Sequence, residues 1–252
     1  MISILRSDLL KTRKRAMGWV MLAIGAALIA LVLGVAIFAP PTEDVPSFAY
    51  PSGLLMGAQV LTQLGGLMMI VFGATLVGSE YGFDTWKNLL TRRPGRAAFI
   101  LSKWIVLALA LLIATVVLPA WAQALGFLFG DVLPPAAAVD LPLGAVLMQV
   151  GLSAVMPLVA GTLGVMGAVI GRSSVSGIIA GIVWMIVDVV LAQLLPGGLK
   201  LVSFNVAMSM LGANLAGQTA PVGLLPSLLV ALAYVIVPLG VAAYLFQRRD
   251  MA

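Results

Sequence analysis

The sequence predicts an all-α membrane protein of six transmembrane helices, with both termini on the cytoplasmic side. Three observations lead there. First, 62% of the 252 residues are hydrophobic and only 9% are charged, against about 25% charged in an average soluble domain. Mean hydropathy is +1.15, and nine acids with 14 bases are too few to cover a soluble globule of this size. Second, six stretches reach the roughly 20 apolar residues that a helix needs to cross the hydrocarbon core. Third, the basic residues sort to alternate connections, as Lys and Arg do when they stay on the cytoplasmic side. These features exclude a soluble enzyme and, despite the net charge of +5, a nucleic-acid-binding chain.

The first stretch is Met17–Phe38. The basic run Lys11-Thr12-Arg13-Lys14-Arg15 precedes it, in the manner of a signal peptide. Its apolar part is longer than an ordinary signal core and no Ala-x-Ala site closes it, so it reads as a retained span. The second stretch is Leu54–Val77. The third, Ala97–Phe127, is long enough to tilt or protrude. Leu143–Ile170, Val175–Leu195 and Val222–Phe246 complete the set. Barrel strands would alternate in segments of about ten residues, whereas a helix pairs its own backbone groups in lipid. With the N-terminus inside, 13 of the 14 bases fall on the inner side and only Lys200 falls outside. Glu43, Asp44, Asp131 and Asp140 then occupy outer loops. The expected location is a bacterial-type cytoplasmic membrane.

The connections carry their own signals. In residues 1–15, Ile2, Leu5 and Leu9 share a helical face with Arg6 beside it, which predicts an amphipathic helix on the inner surface. In the loop 79–96, Phe83, Trp86 and Leu90 recur at i, i+3, i+7, with Asp84, Lys87, Asn88 and Thr91 opposite, before Pro94-Gly95 ends the pattern. A helix of two turns is marginal alone in water and must pack on lipid or on a partner. The turn Arg172-Ser173-Ser174 is short enough to force a tight antiparallel hairpin. Gly167 and Gly171, then Gly177 and Gly181, form G-x-x-x-G pairs on its two arms. Pro119, Pro157 and Pro238 are expected to kink or locally unwind their helices. The outer segment 196–221 is semi-apolar and too short for a further span with its return; it predicts a segment that dips in and comes back.

Glu80-Tyr81-x-x-x-Thr85-Trp86-Lys87-Asn88-Leu89-Leu90-Thr91-x-x-Pro94-x-Arg96, followed by Lys103, resembles the loop after the second span in ABC-2 type transporter permeases. Ser7-Asp8-Leu9-Leu10-Lys11 and Phe246-Gln247-Arg248-Arg249-Asp250 resemble that family's ends. Asp84 departs from the pattern, standing where the family usually has the Gly of a Gly-Thr pair. The resemblance implies that residues 1–252 form a single permease domain. It makes 79–96 a coupling loop seated in a separate ATP-binding subunit, and 196–221 an outer gate segment. It also implies two ATPase copies and a second permease chain, with a homodimer expected. The coupling residues would be Glu80, Tyr81, Phe83, Thr85, Trp86, Lys87, Leu90, Arg92 and Arg96. ATP and Mg would bind the partner: Lys11-Thr12 is the only Lys followed by Ser or Thr here, and no Gly-rich loop precedes it. The chain itself is expected to bind no cofactor and to catalyse nothing.

Polar residues gather in the outer halves of the spans: Gln59, Gln63, Gln123, Gln149 and Asp188, with Asn205 in the outer segment. They suggest an outward-opening vestibule on a translocation path; outer helix ends near water give the same pattern without one. An unpaired Asp at mid-bilayer costs about 2.5–3.5 kcal/mol on insertion scales, so Asp188 must face protein or water, or be protonated. Without His or Cys, His-based triads, Cys nucleophiles and ordinary zinc sites are excluded. The 13 Met residues read as packing rather than as a soft-metal site. The expected function is export of an amphipathic or hydrophobic molecule; the alternative is an ion-coupled secondary transporter using Asp188.

Overall fold

The computed structural model describes residues 2–14, 16–38, 48, 50–82, 96–130, 141–215 and 220–249. The described residues form helices joined by short turns. α1 is Ile2–Lys14, α2 Ala16–Phe38, α3 Ser52–Gly82 and α4 Arg96–Phe129. The fourth apolar stretch is two helices, α5 Leu143–Ser153 and α6 Val155–Gly171. Then come α7 Ser174–Leu194, a 3₁₀ turn Gly197–Val202, α8 Phe204–Leu215 and α9 Leu224–Arg249. Six helical units are long and apolar enough to cross a membrane, in register with the six stretches read from the sequence.

The break in the fourth unit has a local cause. Pro157 has no N–H to donate to the carbonyl of Ser153, four residues earlier, and its ring crowds that carbonyl. The helix ends at Ser153 and restarts after Ala154. Pro119 and Pro238 instead lie inside continuous helices.

α3 is the centre of the bundle, packed by α6, α4, α7 and α2. Glycine lets these backbones touch. A Cβ on Gly73 would collide with the carbonyl of Gly161, and one on Gly164 would sit 2.5 Å from the Ile70 oxygen. One on Gly177 would lie 2.5 Å from the Gly164 oxygen and 2.6 Å from Ala74. The α6–α7 hairpin turns through Arg172, the one non-glycine residue with positive φ among the described residues (φ 52°, ψ 31°). Ser173 then caps α7 by accepting from the Ser176 N–H at 3.1 Å. The two sequence motifs therefore serve a three-helix contact: Gly167 faces Gly177 and Ala180 across the hairpin, and Gly181 faces Ile70 of α3.

The bundle has a basic end, where α1, the C-terminus of α3, the N-terminus of α4, the hairpin turn and the C-terminus of α9 meet. The opposite end carries the 3₁₀ turn and α8.

Candidate functional site

At the basic end three charged side chains are buried together, Asp8 and Glu80 with Lys103, each at most 3% exposed. Lys103 Nζ donates to Asp8 Oδ1 at 2.8 Å and to Glu80 Oε1 at 3.0 Å. Lys11 Nζ reaches the same Glu80 oxygen at 3.1 Å from a more open position. Ser102 Oγ donates to Asp8 Oδ2 at 2.8 Å. Two carboxylates and two ammonium groups balance, which is what a poorly solvated site demands: a lone buried charge costs several kcal/mol.

The network joins three elements that are distant in sequence. α1 supplies Asp8 and Lys11, the last turn of α3 supplies Glu80, and the second turn of α4 supplies Ser102 and Lys103. An aromatic chain adds a fourth. Lys103 Nζ lies 5.2 Å from the Phe99 ring centroid, and Phe99 stacks on Phe246 of α9 at 5.2 Å. Tyr81, half-buried, meets the edge of Phe246 at 6.4 Å. Both ends of the loop 83–95 thus emerge from one ionic and aromatic knot.

This geometry changes the reading of α1. Leu5 packs on the core and Asp8 is buried, whereas Leu9 and Leu10 are exposed. Leu5 and Asp8 mark the inward face, with the buried carboxylate as its polar anchor, and the Ile2 side chain lies outside what is described. Of the residues assigned to coupling, Glu80 and Tyr81 belong to the knot. Phe83, Thr85, Trp86, Lys87, Leu90 and Arg92 lie outside the described residues, and Arg96 is described only as the first residue of α4.

The outer-half polar residues separate into two groups. Gln59 and Gln63, with Thr62 beside them, are exposed along one face of α3, and Gln149 is exposed on α5, which packs at the same end. Gly66, on that face one turn nearer the basic end, is covered by Ala160 and Met185. The face is therefore sealed by α6 and α7 on one side of Gln63 and open on the other. Gln123 is buried instead, and its amide has no hydrogen-bond partner among the described residues.

Asp188 is buried and fully engaged. It accepts the Phe204 N–H at 2.6 Å on Oδ1 and the Asn205 N–H at 3.1 Å on Oδ2, and Oδ2 also accepts from Asn205 Nδ2. A carboxylate at the first turn of α8 satisfies donors that helix geometry leaves free and complements the helix dipole. Phe204 is wedged between Trp184 at 6.0 Å and Tyr234 at 5.3 Å, while the Tyr234 hydroxyl donates to the Val202 carbonyl at 2.7 Å. The outer segment is thereby pinned to α7 and α9.

Sequence reasoning did not single out Asp8, Ser102 or the Trp184–Phe204–Tyr234 cluster. The usable signal was a lysine six residues into the apolar run of the third span, which requires a buried acid.

A model of the ABC-2 family transporter protein matches residues 4–188, from α1 to Asp188 itself. The chain belongs to the ABC-2 transporter family. It is a multi-pass membrane protein of that family, and membership implies association with an ATP-binding subunit. A search of curated proteins finds no match. The matched region of this ABC-2 protein holds the whole ionic network, while α8 and α9 lie beyond it.

Proposed function

We propose that the chain is the permease subunit of an ATP-driven exporter that moves an amphipathic or hydrophobic molecule out of the cytoplasm. Both termini lie on the inner side of the cytoplasmic membrane, and two copies of a separate ATPase subunit bind ATP and Mg. The observation that carries this reading is the knot of Asp8, Glu80, Lys103 and Phe246. It grips α1, α3, α4 and α9 where the loop 83–95 leaves and re-enters the bundle. A push delivered to that loop through Phe83, Trp86 and Leu90 reaches four helices at once. Thr85, Lys87, Arg92 and Arg96 supply the polar contacts to the ATPase.

A second permease copy completes the path. Amides on a span surface are costly against lipid, and the exposed face of Gln59, Gln63 and Gln149 is a surface that another copy would cover while leaving room for cargo. Asp188 favours this reading over ion coupling, because its oxygens already take three N–H donors.

The test is mass spectrometry of the tagged chain purified in mild detergent after expression with its neighbouring genes. A stoichiometric Walker-motif ATPase is expected, lost on Trp86→Asp or Leu90→Asp while the permease stays folded. An intact chain that carries no ATPase even after gentle crosslinking overturns the proposal.

A further inference from the structure

A groove of about 460 Å³ opens beside the N-terminal helices, walled by α1, α2, α3 and α4. Its mouth is at the basic end, at Arg13 and Trp19, and its floor runs past Phe72, Ala110 and Ala114 to Leu118. The walls are almost wholly apolar. On α3 the lining extends from Phe72 to Leu61, which at 1.5 Å per residue is about 16 Å. That is close to half of a hydrocarbon core of roughly 30 Å. The groove therefore opens at the basic end, runs past the middle of the bundle and ends at Leu61 and Leu118, short of the opposite end.

The mouth is built differently from the floor. Trp19 is exposed, and its indole N–H donates to the Arg13 carbonyl at 3.2 Å, which fixes an amphipathic ring at headgroup depth. Another face of α1 carries a separate shallow basic hollow lined by Arg6, Lys11 and Lys14. Lys11 is committed to Glu80. No acid among the described residues pairs with Arg6, Arg13 or Lys14.

We propose that this groove binds an anionic phospholipid of the leaflet at the basic end, one acyl chain lying along α3 and α4 and the headgroup at Arg13. Charge complementarity selects the occupant: an apolar slot with Arg13 at its mouth, which has no acid partner among the described residues, matches an acidic lipid at both ends. A helix from a second copy would need a slot running the full length of the bundle, and this one ends at Leu61 and Leu118.

The experiment is native mass spectrometry of the full chain, offered dioleoyl phosphatidylglycerol or dioleoyl phosphatidylcholine. The wild type retains the anionic lipid at least tenfold better. Arg13→Gln, an exposed position that leaves the core untouched, lowers that retention to the phosphatidylcholine level. Ala110→Phe fills the floor and removes both lipids; Ala114→Phe replaces it if the first variant does not fold. Equal retention of the two lipids, or retention indifferent to Arg13→Gln, overturns the proposal. So does an Ala110→Phe variant that separates two copies of the chain while its lipid binding is unchanged.

Discussion

Lys103 and Asp8 lie 95 residues apart in the chain and 2.8 Å apart in the fold, with both side chains 3% exposed. Their pairing sets the face on which α1 docks and, through Glu80, ties the last turn of α3 to the second turn of α4.

Lys103→Met leaves Asp8 and Glu80 buried without the ammonium they share. Breaking such a buried pair typically costs about 3–5 kcal/mol, so the variant should melt well below the wild type in detergent. The combined variant Asp8→Asn, Glu80→Gln, Lys103→Met should recover much of the loss, because the charge that remains, Lys11, is partly exposed to solvent. Thermal unfolding by size-exclusion recovery measures both; equal stability of the single variant and the wild type would remove the network from the account.

Asp188→Ala strands the Phe204 and Asn205 N–H groups at the start of α8. Stranding a buried donor costs about 1–3 kcal/mol, so hydrogen exchange across 204–215 should speed up about tenfold or more. Asp188→Asn keeps an acceptor oxygen and should fall between. Unchanged exchange in the alanine variant would show that Trp184 and Tyr234 hold the segment unaided.

Gly73→Ala and Gly164→Ala push a methyl into the carbonyls of Gly161 and Ile70. Overpacking of this kind costs about 1–3 kcal/mol. Gly34→Ala meets nothing within 4 Å and should change stability by less than about 1 kcal/mol. Melting temperatures of the three variants decide the matter, and a Gly34→Ala variant as damaged as the other two would contradict it.

Single cysteines at Gln59, Gln63 and Gln149 should react with a water-soluble maleimide in membranes, whereas Asp188→Cys should not. The native chain has no Cys, so labelling is read directly. Labelling at the three glutamine positions no faster than at Ile186→Cys, a position exposed on the apolar face of α7, would exclude an aqueous path along α3.

The six spans were legible because lipid imposes one strong rule, about 20 apolar residues per crossing, and each run in this chain obeys it. The hairpin was legible for a similar reason: three residues between Gly171 and Val175 leave no other route. What stayed hidden depends on pairing across distance. Asp8 reads as one polar residue in a basic tail until Lys103 is placed beside it. Asp188 stood out as an anomaly in the fifth span, but two of its three donors are backbone N–H groups, which carry no residue signature, and the third, the Asn205 amide, lies 17 residues on. The Gln59 and Gln123 side chains look alike in sequence; only the neighbours of each helix face separate the exposed amide from the buried one. For the loop 83–95 the pattern of Phe83, Trp86 and Leu90 stands on the sequence alone.

The span of 95 residues between Asp8 and Lys103 also sets a clock for biogenesis. At about 5–20 residues per second, the ribosome needs roughly 5–19 s after making Asp8 before Lys103 exists to receive it. For the first 72 residues of that interval α1 has neither Glu80 nor Lys103 to dock against, and until Lys103 is made the Asp8 carboxylate has no buried ammonium to pair with. The N-terminal helix is therefore among the first segments made but docks only once the third span has begun, so a nascent chain halted before Lys103 leaves α1 open to protease.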